Sequence, residues 1–160
     1  MDTNTKMAPT ETVERIEREG EMFALIVRKE FSAPGVNFFT PNELSQQLAH
    51  MRHPAGKVIS PHVHNPVHRT VAYTQETLFI KRGRLRVDFF SADQVYLESR
   101  ELRAGDVILL IKGGHGFEVL EDLEMIEVKQ GPYAGDNDKT CFEGRFPAGV
   151  RQTLARPKKD

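Results

Sequence analysis

The sequence predicts an all-β domain, a sandwich or a barrel, on three observations. About eight short β-type runs are separated by Gly, Pro or Asp turns, helical stretches are almost absent, and one run alternates cleanly between apolar and charged residues. A chain of 160 residues is the size of one domain and buries a core of this kind without staples.

Phe23 to Val27, within a strand expected at 22–29, is the first clear apolar run. Thr40-Pro41-Asn42-Glu43 is a capping box with Pro at the first helical position, and Leu44, Leu48 and Met51 follow at helical spacing. Pro54 cuts this short, because proline disfavours helix in the residue before it. The expectation is a short helical turn near 41–46 followed by a strand. Lys57 to Pro61 reads as a further strand leading into His62. Glu76 begins a strand that ends at the turn glycine Gly83. From Arg84 to Phe89, Leu85, Val87 and Phe89 alternate with charge, the period of a half-buried strand. Asp106 to Ile111 is a continuous apolar run, and Leu123 to Val128 is another strand-length run. No repeat or low-complexity tract interrupts them. The polar segment 1–11 and the charged segment 151–160 are expected to be flexible arms around a domain at 12–150.

A formal net charge of -1, from 22 Lys+Arg against 23 Asp+Glu, gives no field to draw nucleic acid or an acidic membrane, so small molecules are the expected partners. Cys141 is the only cysteine, which excludes an intrachain disulfide and makes a cysteine metal ligand improbable. No apolar run of signal-peptide or membrane-spanning length occurs, and a cytoplasmic protein is the expectation. Exposed strand edges need covering, so a homodimer is expected, with the long N-terminal arm and the early strand at 22–29 pairing across a two-fold axis.

The chemistry lies in the histidines. His62 and His64 sit at i and i+2, so on a strand both imidazoles point to one face. Neutral imidazoles plus a carboxylate are a common divalent-metal set. Glu76 shares a strand face with Leu78 and Ile80, where a buried carboxylate requires a cation, a hydrogen-bonding partner or a raised pKa. Gln75 competes with it, because a one-residue slip exchanges which of the two faces inward. His115 lies among Gly113, Gly114 and Gly116, which allow close backbone approaches. His50 and His53 read as ordinary surface or core residues. Glu127 and Lys129 share a face with Met125 and read as solvated charges on an outer strand.

These residues resemble the two motifs of the cupin superfamily. Gly56, His62, His64, Glu76 and Gly83 follow the order of the first motif, with eleven residues between His64 and Glu76 where the family has three or four. Gly105, Gly113 and His115 follow the second, with Ile111 in place of its proline, His115 one residue early and Val119 in place of its asparagine. Residues 45 to 130 carry the resemblance, which is nearest to small single-domain bacterial cupins. It implies a double-stranded β-helix (jelly-roll) barrel holding one divalent ion, Fe, Mn, Zn or Ni, with His62, His64, Glu76 and His115. His68 stands where the shorter family spacing puts the acid; it reads as a mouth-lining loop residue, with a substitute ligand as the alternative. His68, Arg69 and Tyr73 in the long insertion are the catalytic candidates. Three functions follow: a metal-dependent enzyme that isomerises a sugar or oxidises a small polar or anionic molecule, a metal-independent sugar or sugar-nucleotide isomerase or epimerase using histidine acid-base chemistry, and a non-catalytic small-molecule-binding barrel.

Overall fold

The alternating and continuous apolar runs become strands in the computed structural model, which describes residues 12–150. The two arms expected at 1–11 and 151–160 lie outside the described residues. Eight strands occur among the described residues: β1 (Val13–Arg18), β2 (Glu21–Val27), β3 (Gly35–Phe38), β4 (Ala49–Arg52), β5 (Glu76–Phe90), β6 (Tyr96–Arg103), β7 (Val107–Leu110) and β8 (Gly114–Lys129). The one complete helical element among the described residues is a 3-10 turn at Gly135–Asn137. No helix among the described residues is long and apolar enough to cross a membrane.

Six strands form one antiparallel sheet in the order β1-β2-β7-β5-β6, with β8 on the other side of β5, while β3 and β4 form a separate hairpin. Strand β5 is the spine. Its first half pairs with β7 through Glu76↔Leu110 and its second with β6 through Arg84↔Arg103, while β8 runs beside it from Glu76↔Lys129 to Phe90↔Gly114.

The sheet curls into a half-barrel because β5 and β8 bend together at Gly83. The register slips between Ile80 and Leu85, so both face the core although the four residues between them would put them on opposite faces of a regular strand. Gly83 has φ +87°, and a Cβ there would overlap the backbone oxygen of Asp122 on β8. Inside the curl Leu78, Ile80, Leu85, Val87 and Phe89 pack against Ile16, Ile26, Leu102 and Ile108. On the outer face Leu25, Leu109 and Ile111 are covered by Phe39, Leu44 and Leu48 from the loop between β3 and β4.

Buried Asp106, at the turn into β7, accepts hydrogen bonds from the Arg28 guanidinium at 2.9 Å and from the backbone N–H groups of Lys29 and Arg103 at 3.1 and 3.0 Å. A buried carboxylate without such donors costs several kcal/mol, roughly. These three donors fix the β2, β6 and β7 ends to one another.

Three expectations are corrected. The capping box does not start a helix: Thr40 Oγ1 donates to Gln47 at 2.8 Å and accepts from the Leu48 N–H at 3.1 Å, while Gln47 donates to the carbonyls of Pro41 and Leu44. Side chains thereby take the partners that a helical backbone would use, and a bend leads into β4. The strand expected from Lys57 to Pro61 also does not form. Residues 54–74 have no regular structure and are all exposed. Pro54, Pro61 and Pro66 withhold ladder N–H groups, and no neighbouring strand lies beside them to pair with. The strand at 22–29 exists as β2, but β1 and β7 occupy both its edges, so it is not a dimer edge.

Gly83→Ala is expected to lose at least about 3 kcal/mol of stability in urea denaturation. Gly20→Ala, also at positive φ but with nothing near its added methyl, is expected to lose about 1 kcal/mol. Equal losses would contradict the close approach at the bend.

Candidate functional site

Residues directly opposite in an antiparallel pair share a sheet face. Phe89↔His115, Leu78↔Glu127 and Glu76↔Lys129 therefore all present their side chains to the inside of the curl. His115 is paired with Phe89, thirteen residues beyond Glu76, which on a straight strand is about 43 Å away. The bend removes that distance: His115 Nε2 lies 3.2 Å from Glu76 Oε2.

The pair lines a cavity of about 920 Å³. Lys129 Nζ stands 3.6 Å from the other Glu76 oxygen and 3.8 Å from Glu127. The His115 ring lies tilted on Phe117, with centroids 5.2 Å apart. The opposite wall comes from residues 138–146, which hold Cys141 and Phe142 at the rim. That segment is fixed by backbone bonds from the Tyr96 N–H to the Arg145 carbonyl and from the Arg145 N–H to the Gln94 carbonyl, and by the edge-on rings of Phe142 and Phe146 against Phe90. Gly114 and Gly144 let these rings close in, since a Cβ at either would press on Phe142 or Phe90.

Inside the curl the Glu76 carboxylate has His115 on one oxygen and Lys129 near the other. The hydrogen bond from His115 is the largest effect on Glu76. It outweighs desolvation, which acts upward, and with the charges of His115 and Lys129 it holds the carboxyl below its ordinary 4.5. Gln75 faces the other way: it is buried, and its backbone N–H donates to Gln130 at 2.6 Å, in a chain that continues through Gln46 to Thr77. Glu76, not Gln75, is therefore the cavity residue.

The other candidates stand apart from this pair. His62 and His64 lie in the exposed segment with their rings edge to face at 5.2 Å, and His62 Nδ1 is 3.0 Å from the Ser60 carbonyl. His68 and Arg69 are exposed in the same segment. Tyr73 reaches the cavity wall. His50 packs edge-on against Phe31 outside the site. A divalent ion needs its ligands around one point, each at about 2.0–2.2 Å. Among the described residues no group of three or more His, Cys, Asp or Glu side chains is gathered closely enough to hold one. As they stand, His62 and His64 form one pair and Glu76 and His115 another. Glu127 and Lys129, read from the sequence as outer-strand charges, line the cavity; the pairing of Leu78 with Glu127 decides their side, and periodicity alone leaves it open.

The chain matches no protein-family model, no curated protein and no solved structure.

A carboxyl held low in the folded state adds stability above its ordinary value, and that contribution is lost as the pH falls through the folded one. Glu76→Gln is expected to cost about 1–2 kcal/mol at neutral pH. Below pH 4.5 the difference from the parent chain shrinks toward zero. Urea denaturation across pH measures it, and a pH-independent difference would contradict the assignment.

Proposed function

We propose that the half-barrel is the core of a cupin-type double-stranded β-helix, and that its cavity carries out acid-base chemistry on a small polar molecule of the sugar or sugar-nucleotide class. The reaction is a metal-independent isomerisation or epimerisation beside a carbonyl. The observation that carries the reading is the 3.2 Å contact of His115 with Glu76 inside a cavity of about 920 Å³.

An imidazole that donates Nε2–H to a carboxylate keeps a lone pair on Nδ1 and becomes a positioned base. His115 takes a proton from the carbon next to the carbonyl, and Glu76 stabilises the imidazolium that results. The electron pair moves to the carbonyl oxygen, where Lys129 or Lys112 on the cavity wall meets the developing charge. Return of the proton to the other face of the same carbon, as the carbonyl re-forms, completes an epimerisation; return to the former carbonyl carbon completes an isomerisation once the proton of the adjacent hydroxyl has passed to the old carbonyl oxygen, and neither needs a redox partner. Tyr73 is a second proton carrier at the rim.

A second reading is a divalent metal site of His62, His64, Glu76 and His115, with Fe, Mn, Zn or Ni acting as a Lewis acid or as a dioxygen site. It is favoured by the fact that the four residues already stand as two close pairs.

The test is incubation with aldoses, ketoses and keto-sugar nucleotides in deuterated water, reading deuterium entry at carbon by NMR. Exchange by the parent chain, unchanged by exhaustive chelation and lowered about 10²-fold or more in His115→Ala, is expected. Loss of exchange on chelation, restored by one added metal, would replace this reading with the metal one.

A further inference from the structure

The sheet has two ends that no ladder joins. Strands β1 and β6 stand at opposite ends of the order β1-β2-β7-β5-β6, and each pairs with one strand among the described residues. The start of β6 is covered where the Tyr96 N–H donates to the Arg145 carbonyl. From Leu97 to Leu102 the outer edge of β6, like that of β1, has no backbone partner among the described residues.

Side chains bridge the gap instead. On β1, Glu14 and Arg18 lie two residues either side of Ile16, so all three face the inside of the curl. On β6, Glu98 and Arg100 share the face of Leu102 in the same way. Glu98 holds Arg18 with one oxygen at 3.0 Å and Arg100 with the other at 2.7 Å. Glu14 likewise holds Arg100 at 2.9 Å and Arg28, just past β2, at 2.7 Å. Arg28 goes on to Asp106 at 2.9 Å and donates to the Glu101 carbonyl on the β6 edge at 2.8 Å. Arg18, Glu98, Arg100, Glu14, Arg28 and Asp106 therefore alternate in sign without a break, and the row crosses between the two ends of the sheet twice.

The row is graded in exposure. The Arg18 side chain is 50% exposed and that of Asp106 is 5% exposed, so salt acts on the row from the Arg18 end inward. Beside it Ile16 and Leu102 are fully buried in the main apolar cluster. Elsewhere the curl is closed by ladder hydrogen bonds or apolar packing, neither of which screening weakens. The β1–β6 seam is thus the part of the curl whose closure depends on charge.

We propose that this row is an ionic latch: the β1–β6 seam opens as a unit when the row is screened or broken, baring Ile16 and Leu102, while the β5–β8 ribbon that carries the Glu76–His115 pair stays folded. The latch does not depend on the chemistry proposed for the cavity.

The test measures the width of the seam. Nitroxide labels are placed on Glu17→Cys and Arg103→Cys in a Cys141→Ser background; both positions are exposed and their side chains lie outside the row. Double electron–electron resonance is read from about 10 mM to about 1 M NaCl, which shortens the screening length from about 30 Å to about 3 Å. One narrow distance is expected at low salt, joined at high salt by a population longer by about 5 Å or more, one strand spacing. Glu14→Gln, which removes the charge shared by Arg28 and Arg100, is expected to show the longer population already at low salt. The salt series needs no variant of the row, so it decides the matter even where Glu14→Gln does not fold. A distance indifferent to salt, or to Glu14→Gln in the folded chain, would overturn the proposal and leave Ile16 and Leu102 to hold the seam. Loss of the nuclear Overhauser contact between His115 and Glu76 at the salt that widens the seam would also overturn it, because the sheet would then open as a whole.

Discussion

The contact between Glu76 and His115 depends on one constraint, the bend of β5 and β8 at Gly83. Paired antiparallel strands of fifteen and sixteen residues ordinarily form a gently twisted ribbon about 50 Å long. Here the register slips on both sides of Gly83, whose backbone lies so close to Asp122 that any side chain would collide with it. The ribbon therefore folds over its own inner face. That single bend encloses the apolar cluster around Leu85 and Phe89, opens the cavity above it, and carries a histidine from one end of the ribbon to a glutamate at the other.

The polar groups at the floor of the cavity follow from this enclosure. A carboxylate inside a curl lined by Leu78 and Leu110 is expensive in isolation, and Glu76 is held ionised by His115 and Lys129. The same interaction orients the imidazole, and an oriented imidazole beside a fixed carboxylate is the simplest proton-transfer device that a protein builds.

Much of the strand content was legible in the residues. The alternation from Arg84 to Phe89 and the apolar runs at Phe23–Val27 and Asp106–Ile111 all mark strands that formed. Strands β1 and β6 carry charge at half or more of their positions and bury little, so their pattern is faint. Gly83 is visible as a turn residue, but nothing local shows that β5 continues through it, because that depends on β8 bending with it. Glu76 and His115, which meet at the cavity, were both legible as candidates, from their strand face and their glycine setting. Lys129 and residues 138–146 were not, since only pairing across β5 and the aromatic packing on Phe90 bring them to the cavity. The H-x-H pair was expected on a strand; its prolines and its lack of a neighbouring strand leave it in the exposed segment instead.

The claim on which the account turns is that the two ends of the β5–β8 ribbon meet. A nuclear Overhauser measurement between the His115 ring protons and the Glu76 side-chain protons tests it directly. The 3.2 Å contact predicts a strong cross-peak, one that disappears in Gly83 variants that straighten the ribbon. Absence of that cross-peak in the folded parent chain, with the Phe89–His115 strand-pairing signals intact, would mean that the ribbon is open and that no such site exists.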